Sequence, residues 1–306
     1  MTGNRIRFIA ALLVLGMPLA ASPVTGADAC SQSASETLTS ARREAQASYW
    51  LARAKCTNLP LAQQSACLAE AQDALQEALE LCDDQYVERL DACDDLGGGI
   101  YDPQINPANF VAGVNHPFFP LQHGVTLVYE KQTSEGVERI EVNPTGATKT
   151  ILGVACVEIH DVVTLNGEHV EDTLDWFAQD VLGNVWYMGE LAMNFEDGQL
   201  SDLDGSWRSG VDGAKPGIVM KATPRVGDVY RQEFLLAEAE DIAEVASLNK
   251  RVVVPYGTFS RCLQTEDFTP IEPGIEEKKY YAAGVGLVLS VNVQSGARTE
   301  LVDILP

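Results

Sequence analysis

Four histidines carry most of the ligand chemistry available to this chain, and two of them, His160 and His169, flank an Asn166-Gly167 step. Imidazole nitrogens bind Zn and Cu readily, and the adjacent Asp161 and Glu171 would add carboxylate oxygens. Asn-Gly is a strong hairpin signal, because both central residues of a type I′ turn need φ > 0. Pairing about that turn sets His169 opposite Thr164, four residues from His160, so the two histidines start roughly 13 Å apart. A metal site there needs a bulge or long side-chain reach. The plainer alternative is that each imidazole pairs with a nearby carboxylate.

Other chemistry is thinly represented. Asp197, Asp202, Asp204 and Asp212 crowd one turn-rich segment, but their spacing matches no complete Ca²⁺ loop, and Asp before Gly is what a turn demands. Neither G-x-S-x-G nor H-E-x-x-H occurs, and Gly284-Val285-Gly286 runs into a strand instead of a helix. No catalytic residue is therefore assigned and no cofactor is expected. Leu174, Trp176, Trp186 and Tyr187 are the candidates for ligand contact, as large apolar or aromatic groups on adjacent strands. Around them, Val170, Leu174, Trp176 and Ala178 alternate with His169, Glu171, Thr173, Asp175 and Gln179. That period of two predicts a strand with one buried face and one wet face.

The net charge is −23, from 44 acidic and 21 basic residues. So acidic a chain lacks the clustered Lys and Arg that phosphate backbones require, which excludes nucleic acid as a partner. Residues 1–29 read as an export signal and processing region, with Arg5 and Arg7 before an apolar run from Phe8 to Leu19. That run is too short to span a bilayer, and no later stretch is long or apolar enough. The expected location is periplasmic or extracellular.

Seven cysteines in an exported chain are read first as disulfides. Residues 30–100 predict a helical hairpin: one helix from about residue 34 or 36 to 57, capped by Ser33 or Ser35, and a second from Leu61 to Leu96. Asn58-Leu59-Pro60 forms the break and Gly97 the stop. Leu75, Leu79, Cys82, Tyr86 and Leu90 make its seam. Facing positions in an antiparallel pair share a constant sum of residue numbers. Cys30 with Cys93 and Cys56 with Cys67 satisfy one sum with its centre near the break. The rival set, Cys56 with Cys93 and Cys67 with Cys82, needs a turn inside strongly helical sequence. The first register is preferred. It leaves Cys82 over, available to join two chains, while Cys156 and Cys262 lie in strands and could staple the sheet.

Residues 101–121 are a proline-rich linker, and residues 122–306 alternate as about ten short strands. AEAEDIAEVASL (237–248) reads as one inserted helix. The fold class is α+β: a disulfide-closed helical hairpin followed by a curled antiparallel sheet, either a half-barrel or a barrel.

The segments FFPLQHGVTLVYE, TKTILGVACVEIHDVV, DTLDWFAQDVLGNVWYMGE and PYGTFSRCLQTEDF…KKYYAAGVGLVLSV resemble uncharacterised bacterial secreted proteins whose β-domain ends in a YYAPGVGLV-like motif. Ala283 stands here where that pattern has Pro. The resemblance implies an architecture similar to periplasmic lipoprotein-carrier half-barrels. The functional expectation is a non-catalytic binding module that takes an apolar or amphipathic small molecule on its concave face, with the inserted helix as lid. The alternative is a protein-interaction module docking through the hairpin. A hydrolase, marked by buried carboxylates of raised pKa, is the third reading.

Overall fold

The computed structural model describes residues 29–306. Residues 1–28 of the expected export signal lie outside the described residues. Two helices, α1 (Ala29–Thr57) and α2 (Leu61–Leu96), form an antiparallel hairpin. Cys30–Cys93 and Cys56–Cys67 are both bonded, so the constant-sum register holds. The first helix begins earlier than expected, and Ser33 and Ser35 lie inside it. Its first turn is held by the Cys30 bond and by the Cys30 N–H donating to the Gly98 carbonyl. Gly97, at φ 87°, ends α2 in the left-handed conformation that glycine adopts at least cost. Cys82 is buried, so the cross-chain bond expected of it would require the hairpin to open.

The chain then passes through a short 3₁₀ turn and the strands β1 (Phe110–Val111), β2 (Val114–His116) and β3 (Phe119–Leu121). Four strands follow as a meander: β4 (Thr126–Gln132), β5 (Val137–Ile151), β6 (Val154–Leu165) and β7 (Glu168–Asp180). Next come β8 (Val185–Glu196), β9 (Gln199–Asp202), β10 (Trp207–Arg208) and β11 (Lys215–Met220). The closing elements are β12 (Val229–Arg231), β13 (Glu233–Phe234), β14 (Ile242–Val254), β15 (Gly257–Phe268), β16 (Glu276–Ala282), β17 (Gly286–Asn292) and β18 (Arg298–Leu305).

The main sheet runs β12-β14-β15-β16-β17-β18-β4-β5-β6-β7-β8-β11-β13, and its pairs are antiparallel. Its two ends, β12 and β13, are consecutive in sequence with Gln232 between them, so the sheet curls into a nearly closed barrel. This is the α+β architecture expected, with more strands than the alternation suggested. The Asn166-Gly167 turn forms as read, with φ 52° and 87° and His169 opposite Thr164.

Three expectations are corrected. Residues 237–248 are not a helix. Ala237 adopts φ 66° in a tight turn, Leu235 bridges to Ala239, and β14 begins at Ile242. The Ala and Glu content favours helix, but Ile242, Ala243 and Val245 have no accessible surface because both faces of β14 pack against neighbours, and that packing overrides propensity. This segment therefore supplies no helical lid. Second, Cys156 and Cys262 are not bonded to each other. They lie in separate core clusters, on strands β6 and β15 with five strands between them. Third, the face of β7 expected to be wet turns into the barrel. The face expected to be buried is buried as read but on the outer side of the wall, where Trp176 and Ala178 are 4% and 2% exposed. Phe177 joins a core that draws on Val157 and Ile159 of β6, Val219 of β11, Leu263 of β15 and Tyr281 of β16, so its face looks into the barrel. Glu171, Thr173 and Asp175 share that face. Trp176 and Ala178 point outward, under Ile105 and Phe110 of the linker segment.

That segment also closes one end of the barrel. The β2–β3 hairpin places Phe118, Phe119 and Leu121 against the inner core, with Phe119 edge-on to Phe177 at 5.2 Å. The Gly284 N–H donates to the Pro117 carbonyl, and Asn115 exchanges hydrogen bonds with the Gln179 side chain.

Candidate functional site

Away from the plug the inner wall changes character. Phe177 stacks on Tyr187 at 4.6 Å and Tyr187 meets Trp207 edge-on at 5.2 Å, an aromatic cluster within the packed inner core. One residue pair beyond it, Asp175 of β7 stands opposite Glu190 of β8, and Asp161 of β6 opposite Thr173. Across the lumen, Asp267 of β15 pairs with Glu277 of β16, next to Lys279, while Asp241 and Glu233 border the seam where the barrel closes. A cavity of about 290 Å³ opens at this end. Asp241, Asp267, Glu277 and Lys279 line it, with Phe268 and Ile275 as apolar rim.

The balance of charge is lopsided. The Lys279 ammonium lies 3.0 Å from Asp267 Oδ2 and 3.9 Å from Glu277 Oε2. Burial opposes its charge, yet Asp267 and the carboxylates around it outweigh that and raise its pKa. The remaining carboxylates have hydroxyl or indole partners, or none. Asp175 accepts from the Tyr187 hydroxyl and Glu190 accepts from Trp207 Nε1 at 3.1 Å, while Asp161 Oδ1 has no hydrogen-bond partner among the described residues. Burial, then repulsion from Asp175 and Glu171, pushes Asp161 up to about 8. Burial pushes Asp175 to about 6 against the Tyr187 hydrogen bond, with Glu171 adding to the rise. Glu190 reaches about 8 through burial and the Asp175 charge. Glu233 is raised well above the carboxylate range by burial, Asp241 and Glu190. Asp241 is also raised by burial, although Lys279 pulls the other way. These are the signs of negative charge enclosed without enough positive charge to match it.

The residues singled out in the sequence are divided by the barrel wall. Tyr187 faces the lumen. Leu174, Trp176 and Trp186 lie together in the outer cluster. Trp176 Nε1 donates to Glu158 Oε2 and lies beneath Lys149, and Trp186 Nε1 donates to Asp180 Oδ2. His160 and His169 are also on the outer face, brought to one carboxylate. His160 Nε2 is 2.6 Å from Asp172 Oδ1, and His169 Nε2 is 3.8 Å from Oδ2 while its ring stacks on Phe195 at 4.7 Å. A register shift at Val163/Thr164 supplies the bulge that brings them closer. Among the described residues, no group of three or more His, Cys, Asp or Glu side chains is arranged to hold a metal ion. The lumen carboxylates were missed because they alternate as a wet face should. The available signal was their number on consecutive strands, which in a closed sheet must meet inside.

No family model matches this chain, and no curated protein matches it. The secreted group it resembles thus gains no family-level support. Among solved structures, a putative lipoprotein from Parabacteroides distasonis ATCC 8503 is similar over 61% of this chain and 97% of its own, at 15% identity and a TM-score of 0.32.

Proposed function

We propose that the protein is an exported, non-catalytic binding module, in which the hairpin (30–100) and β-domain (122–306) are distinct units and the lumen takes an amphipathic ligand with a cationic amine head. One observation carries this reading: the lumen encloses Asp161, Asp175, Glu190, Glu233 and Asp241 with raised pKa values, and Lys279 is the ammonium among them. An ammonium head placed there would offset repulsion that the protein alone leaves standing. Phe268, Ile271 and Ile275, which line the cavity at this end, suit an apolar body. The expected apolar ligand thereby becomes a cationic one.

Thermal shift with octylamine and with 1-octanol tests this. Octylamine is expected to raise the melting temperature at pH 7.5 and octanol to leave it unchanged; equal effects would rule out the charge-based reading. The same raised carboxyls favour a second reading, a hydrolase using one of them as general acid. Asp175 and Glu190 are already engaged by Tyr187 and Trp207, which suits a binding wall better. Turnover of nitrophenyl esters or glycosides that is lost in Asp161→Asn would favour the hydrolase.

A further inference from the structure

Between the hairpin and the outside of the barrel lies a second cavity, of about 300 Å³, with the opposite charge. Arg231 and Glu240 of the barrel are 8% and 2% exposed there, and Arg89 of α2 is 5% exposed. The Glu240 carboxylate is fully engaged. It accepts from Arg89 Nε and Nη2 at 2.8–3.1 Å and from the Ala237 N–H at 2.7 Å. Arg231 is left without a carboxylate of its own. Among the described residues its buried Nη1 has no hydrogen-bond partner, and its Nη2 has the Cys30 Sγ at 3.9 Å.

Two buried guanidiniums against one buried carboxylate leave one positive charge at the cavity floor. A guanidinium does not relieve this by losing its proton at ordinary pH. The Arg231 group is also held in place, with Cζ 4.8 Å from the Phe234 ring centre and 5.7 Å from that of Tyr101. Lys215, in contact with the Tyr101 carbonyl and Asp102, lines the same cavity. The remaining wall is mainly apolar, with Ala34, Ile100, Leu236 and the Cys30–Cys93 bond.

We propose that this cleft binds a monocarboxylate with a short hydrocarbon body. The carboxylate accepts from Arg231 Nη1, and the hydrocarbon lies along Phe234, Ile100 and Ala34. A single net charge suits a monoanion, and the volume falls at the small end of the usual ligand range of about 300–1,000 Å³. This site is separate from the lumen and does not depend on the reading of the lumen.

Calorimetric titration of the purified protein with octanoate at pH 7.5 tests the assignment. One-to-one binding is expected, weakened at least about tenfold by Arg231→Gln, the scale of a lost charge-assisted hydrogen bond. Glu233→Gln, in the lumen, should leave it unchanged, and octylamine should show the reverse pattern, so the two sites fail independently. Ser33→Trp narrows the cleft from α1 while leaving Arg231 in place, and it too should weaken octanoate. If Arg231→Gln does not fold, Ser33→Trp decides. Octanoate that fails to bind the unmodified protein, or that binds the folded variants as tightly as the unmodified protein, overturns the proposal.

Discussion

The lumen and the hairpin cleft lie on opposite sides of one stretch of barrel wall, and they bury opposite charges. Tyr230 faces inward and Arg231 outward. Glu240 meets the hairpin, while its neighbour Asp241 faces the lumen mouth. Alternation along a strand thus sorts acid to the inside and guanidinium to the outside within a dozen residues. The difference lies in how each side is settled. In the cleft, Arg89 and Glu240 form a buried, multiply hydrogen-bonded pair with one extra cation. In the lumen, carboxylates face one another and are relieved by protons as much as by partners. Fixed charge dominates on one side and titratable charge on the other.

The contrast breaks most sharply if the cleft loses its anion. Glu240→Gln leaves Arg89 and Arg231 buried without a carboxylate, and the expected loss of stability is about 3–5 kcal/mol, measurable by denaturant unfolding. A loss below about 1 kcal/mol would mean that water already solvates the pair. Removing the Cys30–Cys93 bond, which closes 63 residues and forms part of the cleft wall, should cost roughly 4 kcal/mol. Melting a Cys30→Ala/Cys93→Ala variant beside the unmodified protein gives the comparison, since a reductant would also open Cys56–Cys67.

The lumen should reveal itself through pH. A carboxyl whose folded pKa lies above its unfolded value holds its proton more tightly when folded. The stability it contributes is complete below the unfolded pKa and is lost as pH rises through the folded one. With unfolded values near 4, Asp175 at about 6, then Asp161 and Glu190 at about 8, place that loss between about pH 4 and 9. His116, lowered by burial, acts in the other direction, reducing stability as pH falls below its ordinary range. Between pH 6.5 and 8.5 the carboxyls prevail, and the melting temperature should drop by about 5 °C or more. Glu190→Gln should flatten that slope while leaving the Trp207 partnership available through its carbonyl oxygen. The smallest effect belongs outside both regions: His160→Ala removes a partly exposed contact with Asp172 and should change stability by less than about 1 kcal/mol.

What was legible in the sequence followed from local geometry. The hairpin register came from helix periodicity and two cysteine sums, and the Asn166-Gly167 turn from the φ values that its residues tolerate. Long-range closure was not legible. Alternation in β7 announced two faces but not which one a closed sheet would turn inward, so Asp175 read as wet, whereas Trp176 is core as read but on the outer side of the wall. Residues 237–248 read as helix because Ala and Glu propensities are local, whereas the packing of Ile242 and Val245 is not. Cys156 and Cys262 were both correctly placed in strands, yet pairing them required the strand order. Arg231 carried no signal, since nothing near it in sequence shows that Glu240 is taken by a residue of α2.

The central claim, that the lumen holds excess carboxylates as protonated groups awaiting a cation, is tested most directly by proton release. Octylamine binding is measured by calorimetry at pH 7.5 in phosphate and in Tris, whose ionisation enthalpies differ. The predicted result is a binding heat that depends on the buffer and corresponds to protons leaving the protein, with that dependence reduced in Glu190→Gln and Glu233→Gln. Binding with the same heat in both buffers, or no binding of the amine, would contradict it.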